Sequence, residues 1–242
     1  MVPKALRPHP DAADTAAVLA RLRGMADPSR ISGLERYGIV ARHALGIPVG
    51  DLRTLARKLG RNQALSLSLW DTGIYEARLL AAFVGEPREV TRRQMDAWAR
   101  SFENWAECDT ACFSLFDRSE FAWAHARVWA RRSKEFVKRA GFALMAALAQ
   151  HDKKAADERF EPFLAVIEAE AGDDRNFVKK GASWALRGIG QRSPALRARA
   201  LAIARRLAAS PSLAYRFVGR DAIRELERPA VSRRKAKRAG GR

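Results

Sequence analysis

Apolar residues recur every three or four positions along most of the chain: in TAAVLARLRGMA from Thr15, VGDLRTLARKLG from Val49, YEARLLAAFVG from Tyr75, TRRQMDAWARSF from Thr91, KEFVKRAGFALMAALAQ from Lys134, NFVKKGASWALRGIG from Asn176 and SPALRARALAIARRLAAS from Ser193. This is the period of an amphipathic helix, and almost nothing alternates as a half-buried strand does. The pattern is broken at Gly46 to Pro48, Gly60, Gly73, Gly85 to Pro87, Gly172 and Ser193-Pro194. Such punctuation predicts about a dozen short helices joined by tight turns. Ala, Leu and Arg, all good helix formers, dominate the helical segments. Short helices in this number suit an all-α solenoid of stacked helix pairs, because a four-helix bundle needs fewer and longer ones.

The units are degenerate, with no strict period. KEFVKRAGFALMAAL from Lys134 and DRNFVKKGASWALRGI from Asp174 nevertheless share a cadence some forty residues apart, the spacing of HEAT-type repeats. In the first, Lys138 and Arg139 stand at the start of an apolar helix; in the second, Lys179 and Lys180 take the same place. Equivalent turns are expected to point these side chains the same way and line one basic, concave surface, the plainer alternative being a solvated helix face. A chain of 242 residues can bury a sizeable core. The expected division is one repeat domain over residues 1–228 and a basic tail, residues 229–242, that is disordered and acts as a non-specific DNA-binding arm or as a solubilising end. GIGQRS at Gly188 follows a helix instead of a strand, so it is expected to be a helix C-cap and loop, not a dinucleotide-binding turn.

Charge changes the picture from fold to partner. The formal net charge is +18, an excess that favours a polyanion, since neutralising phosphates releases condensed counterions. Nucleic acid is the first expectation and an anionic membrane surface the second. No apolar run approaches the length of a membrane span, and MVPKALRPHPDAADT lacks the apolar centre of a signal peptide, so a cytoplasmic protein is expected. Cys108 and Cys112 are the two cysteines and give no disulfide framework; they are expected to pack as small apolar side chains. The four histidines, His9, His43, His125 and His151, show no metal-ligand spacing, and no cofactor is expected.

Chemistry enters with SFENWAECDTACFSLF, residues 101–116, where Trp105 and Asp109 lie four apart in a segment without Gly or Pro. That spacing stacks an indole and a carboxylate on one helical face. Of the six tryptophans, Trp70, Trp98, Trp123 and Trp129 are expected to fill the core between repeats. Trp105 and Trp184 differ in their neighbours: the first shares a face with Asp109, and the second lies one turn beyond Lys180.

Taken together, ERYGIVARHALGIPVGDLRTLARKL, NWAECD, EFVKRAGFALM and FVKKGASWALRG, in that order, resemble the bacterial DNA alkylation repair glycosylases built from HEAT-like repeats, the AlkD-type family. The resemblance runs from about Tyr37 to Glu227. It implies that Asp109 is the catalytic carboxylate, with Trp105 and Trp184 as aromatic walls, Arg139 as a phosphate contact and Tyr37, nine residues before Gly46, as a cleft residue. With the neighbouring cations, the expected DNA-contacting set is Tyr37, Lys138, Arg139, Lys179, Lys180 and Arg187. Family members often carry an acidic residue directly after the first Trp; here it is Ala106, with Glu107 next. The implied activity is monofunctional hydrolysis of the N-glycosidic bond of cationic N3- or N7-alkylated purines in duplex DNA, by a nucleoid-associated monomer. A non-catalytic HEAT module for nucleic-acid binding or scaffolding is the alternative from another class.

Overall fold

The computed structural model describes residues 12–228. The tail expected over residues 229–242 lies outside the described residues. Among the described residues thirteen α-helices follow one another: α1 (Ala12–Gly24), α2 (Ile31–Glu35), α3 (Val49–Leu59), α4 (Gln63–Asp71), α5 (Tyr75–Val84), α6 (Arg92–Ser101), α7 (Trp105–Ser114), α8 (Ala122–Trp129), α9 (Glu135–His151), α10 (Glu161–Glu170), α11 (Asn176–Gly190), α12 (Pro194–Ala208) and α13 (Leu213–Leu226). No strand occurs among them. Each predicted break falls between helices or, at Ser193-Pro194, on a helix start. Four of the starts, those of α4, α6, α7 and α12, are fixed by side chains that take up orphan backbone N–H groups. Asn62 accepts from Leu65 N, Thr91 from Gln94 N and Asn104 from the N–H groups of Ala106 and Glu107. Ser193 accepts from Leu196 N, with Pro194 in the first turn of α12. GIGQRS is the helix C-cap and loop that was expected: α11 ends at Gly190, Gln191 caps it in right-handed helical conformation, and a turn follows.

The helices stack in two layers. In one layer α3, α5, α7, α9, α11 and α13 pack in succession, and α4, α8, α10 and α12 each back onto the member that follows them. The arrangement is an α-solenoid of helix pairs, and α9 lies at its centre, against α7, α8 and α11. Accordingly every residue of α9 from Val137 to Ala149 is buried, which a surface helix with one apolar stripe would not allow. Close approach to α8 requires Gly141, where a Cβ atom would come 2.2 Å from Ala130 N. Trp70 and Trp98 stack with centroids 3.8 Å apart, and Trp129 is buried with its indole N–H on Asp96. These tryptophans join the core, as volume-filling inter-repeat side chains should. Cys108 and Cys112 are fully buried, their S–H groups directed at the Phe136 and Ala140 carbonyls of α9.

Candidate active site

The layer built by the odd-numbered helices carries nearly every residue singled out above. Trp105 opens α7 and Asp109 follows one turn later, on the flank toward α9. Arg139, one turn into α9, answers Asp109 with a two-point contact: Nε to Oδ1 at 2.9 Å and Nη2 to Oδ2 at 2.7 Å. Its Nη1 donates to the Phe177 carbonyl on α11 at 2.7 Å, and its guanidinium carbon stands 5.8 Å from the Trp105 ring centroid. Three of the five guanidinium N–H groups are thereby used inside the protein. Arg139 is buried, so its first role is to hold Asp109, with at most two donors left for a phosphate.

Burial pushes the Asp109 carboxyl above its ordinary range, and the charge and hydrogen bonds of Arg139 oppose that shift. The Arg139 guanidinium is in turn pushed up by Asp109 against the effect of its own burial. About a sixth of the Asp109 side chain remains exposed, and it opens into a cleft of about 360 Å³ shared with Arg139, Lys180, Trp184, Arg187 and Asp221. Each carboxylate oxygen keeps lone-pair capacity beyond its bond to Arg139.

The two indoles are held differently. Trp105 donates from Nε1 to the Tyr37 carbonyl at 2.8 Å. Gly38, at φ +68°, completes that turn, and a Cβ there would meet the Phe177 ring at 2.8 Å. The turn therefore needs glycine both for its left-handed backbone and for the close aromatic neighbour. Tyr37 itself is 71% exposed, so its ring stands in solvent beside the indole that its backbone anchors. Trp184 stacks on Phe113 with centroids 4.6 Å apart and planes 4° from parallel. Phe113 is the next residue on the Trp105 and Asp109 stripe of α7, one turn past the carboxylate. The four-residue period could have found it. Asp221, on α13, has no such local signal, because the packing of α11 on α13 delivers it to the cleft.

The cations divide by position in the repeat. Arg139 and Lys180 occupy equivalent places and both reach the cleft. Lys138 and Lys179, one residue earlier in each unit, do not. Lys138 is buried and pairs with Glu170 at 2.7 Å and Asp173 at 3.2 Å, and Lys179 lies over the Phe217 ring at 5.5 Å. The expectation that both members of each pair line one surface is thus corrected to one member of each. The physical reason is helical geometry: adjacent residues point about a quarter-turn or more apart. Arg187 lines the cleft but is paired with Glu225 and, at 3.4 Å, with Asp221. Glu107 turns away from the cleft; it is buried, accepts from Glu103 N at 3.0 Å and faces Arg78 at 3.3 Å.

What the site offers is one carboxylate bound at two points by a fixed guanidinium, the Trp184 indole in the same cleft, the Trp105 ring near the guanidinium and an exposed lysine. Such a group can stabilise positive charge developing in a substrate and orient a water. The chain matches the family model described as DNA alkylation repair enzyme over residues 18–226. No curated protein matches it. A solved structure described as a new family of proteins related to the HEAT-like repeat DNA glycosylases with affinity for branched DNA structures superposes with a TM-score of 0.72 at 18% identity. The match covers 88% of this chain and 95% of that one, and shows the fold to be HEAT-like. Stacked helix pairs, the conjunction of Trp105, Asp109 and Arg139, and a family match over most of the length lead to one conclusion: the chain belongs to the DNA alkylation repair enzyme family.

Proposed function

We propose that the protein is a monofunctional DNA glycosylase that removes cationic N3- or N7-alkylated purines from duplex DNA. The observation that carries this reading is the two-point Asp109–Arg139 pair opening into a cleft lined by Trp184, with the Trp105 ring 5.8 Å from the Arg139 guanidinium carbon. Alkylation at N3 or N7 gives the purine a formal positive charge, so the base departs as a neutral molecule and needs no general acid. This differs from sugar hydrolysis, where a second carboxyl protonates the departing oxygen. The remaining tasks are to stabilise an oxocarbenium-like sugar and to position water, and an ionised Asp109 supports both. Arg139 serves by keeping the carboxylate charged and fixed, which lowers the reorganisation required as the sugar becomes positive. Indole faces attract the cationic lesion by about 0.5–2 kcal/mol each. Lys180, exposed and without an ion pair among the described residues, is the first candidate for a phosphate contact, with Arg139 in the same cleft and the exposed Tyr37 as a further candidate.

A second reading is favoured by one observation: the structural neighbour is described by affinity for branched DNA, not by base removal. On that reading the protein is a non-catalytic DNA-binding module. Purified protein incubated with methylated duplex DNA separates the two. Release of free N7-methylguanine or N3-methyladenine supports the glycosylase; tight DNA binding with no base released supports the binding module.

A further inference from the structure

We propose that the pocket between α3, α5, α7 and α9 is a second anion site, shaped for the terminal phosphate monoester of a DNA strand end. The inference rests on the DNA-binding part of the function proposed above, not on base excision. The pocket, of about 590 Å³, is lined by Arg53 and Arg57 of α3, Arg61 in the turn after α3, Arg118 in the turn after α7, and the rings of Phe113 and His151. No carboxylate among the described residues lines it. None of the four arginines makes an ion pair among the described residues, whereas Arg139, Arg175, Arg187 and Arg206 each do.

Three of these guanidinium groups are held in place by neutral partners. Arg61 Nη1 donates to the Gly85 carbonyl at 2.5 Å, Arg57 Nη2 to Thr54 Oγ1 at 2.9 Å, and Arg53 lies 5.4 Å from the Phe83 ring centroid. Asp117, the buried carboxylate nearby, accepts from His151 Nδ1 at 2.5 Å, which orients the imidazole and leaves Nε2 free of that bond. Partial burial and, after it, the charge of Arg118 push the Arg61 guanidinium down, against the opposing charges of Glu86 and Asp117.

The number of charges selects the ligand. A phosphodiester inside a strand brings one negative charge, whereas a terminal monoester brings about 1.5 to 2 at neutral pH and three acceptor oxygens suited to guanidinium forks. The volume exceeds that of a phosphate alone and leaves room for the end nucleotide against Phe113, since bases stack readily on aromatic side chains. Phe113 also stacks on Trp184, so the pocket and the Asp109 cleft share a wall. A break opened at the abasic sugar, by the class of reaction that consumes a glycosylase product, leaves a phosphate of this kind.

The test is equilibrium binding of the full chain to four duplexes of identical sequence: continuous, nicked with a 5′ phosphate at the break, nicked with a 3′ phosphate at the break, and nicked with hydroxyls only. One phosphorylated nick should bind about tenfold more tightly than the hydroxyl nick. Arg53→Gln with Arg118→Gln should abolish that preference while base release from continuous methylated duplex is unchanged. Equal affinity of the parent for phosphorylated and hydroxyl nicks would overturn the inference, as would a preference that survives the double substitution. A phosphate preference without base release would keep this site while removing the glycosylase reading.

Discussion

On the proposed reading Asp109 stands between two demands, since a stabiliser of positive charge must stay ionised and burial favours its neutral form. Arg139 offsets the burial, yet the carboxyl remains shifted upward. Only the ionised form can act, so a raised pKa moves the loss of activity to higher pH. Single-turnover excision should therefore fall on acidification through a midpoint above 3.8, the ordinary value for the group. The midpoint should be read from rates over a pH range in which the protein stays folded. The indoles give a second prediction. Phe at position 184 keeps a π face, whereas Leu keeps only apolar volume and also removes the stacking partner of Phe113. Trp184→Leu should slow release of N7-methylguanine more than Trp184→Phe, by about threefold to thirtyfold, and should affect a neutral etheno base less. Equal rates for Phe and Leu at matched melting temperature would return Trp184 to a packing role. The spacing of Trp105 and Asp109 was legible in the sequence because both lie on one helix. The partner of Asp109 was legible only as a basic residue at the start of an apolar helix, since Arg139 reaches the carboxylate from another helix.

At the scale of the element, α9 explains both the site's rigidity and its sensitivity. A helix buried on every side can carry Lys138 and Arg139 only if each finds a carboxylate, and each does: Glu170 with Asp173 for the first, Asp109 for the second. The cadence shared by α9 and α11 made the repeat legible. It did not show which member of each basic pair turns inward, because the acidic partners of Lys138 come from α10 and the turn after it. Gly141 offers an element-level prediction. A methyl group there meets Ala130 backbone at 2.2 Å, and backbone cannot yield as a flexible side chain can. Gly141→Ala should therefore cost about 1–3 kcal/mol despite the better helix propensity of Ala, and should weaken excision by displacing Arg139. Denaturant unfolding read beside excision rate checks it; an unchanged midpoint would show that α8 and α9 can part without cost.

For the whole molecule, two layers of helices convert scattered local patterns into a site: α7, α9, α11 and α13 each contribute to one cleft, and α3 adds arginines to the pocket beside it. The helical period and the Gly and Pro breaks made the architecture legible, because each helix pair is a local unit repeated along the chain. Asp221 and the arginine pocket were not, since they arise from stacking between units far apart in sequence. Net charge acts at this scale as well. Removal of residues 229–242 takes away six Lys/Arg and no acidic residue. The slope of log affinity against log salt should flatten by about 0.9 for each phosphate that the shortened chain no longer neutralises, while excision at saturating protein persists. Loss of excision at saturation would place the tail in the active site. The most direct measurement compares parent and Asp109→Asn protein in single-turnover release of N7-methylguanine from duplex DNA, with melting curves and DNA affinity recorded for both. Asn weakens the bonds to buried Arg139, so the variant should melt lower, by the equivalent of about 1–3 kcal/mol. The temperature is therefore set where both proteins are folded. The expected result is rapid release by the parent and a reduction of about a hundredfold or more in the variant at nearly unchanged DNA affinity. Near-equal release by the two folded proteins would contradict the role assigned to Asp109.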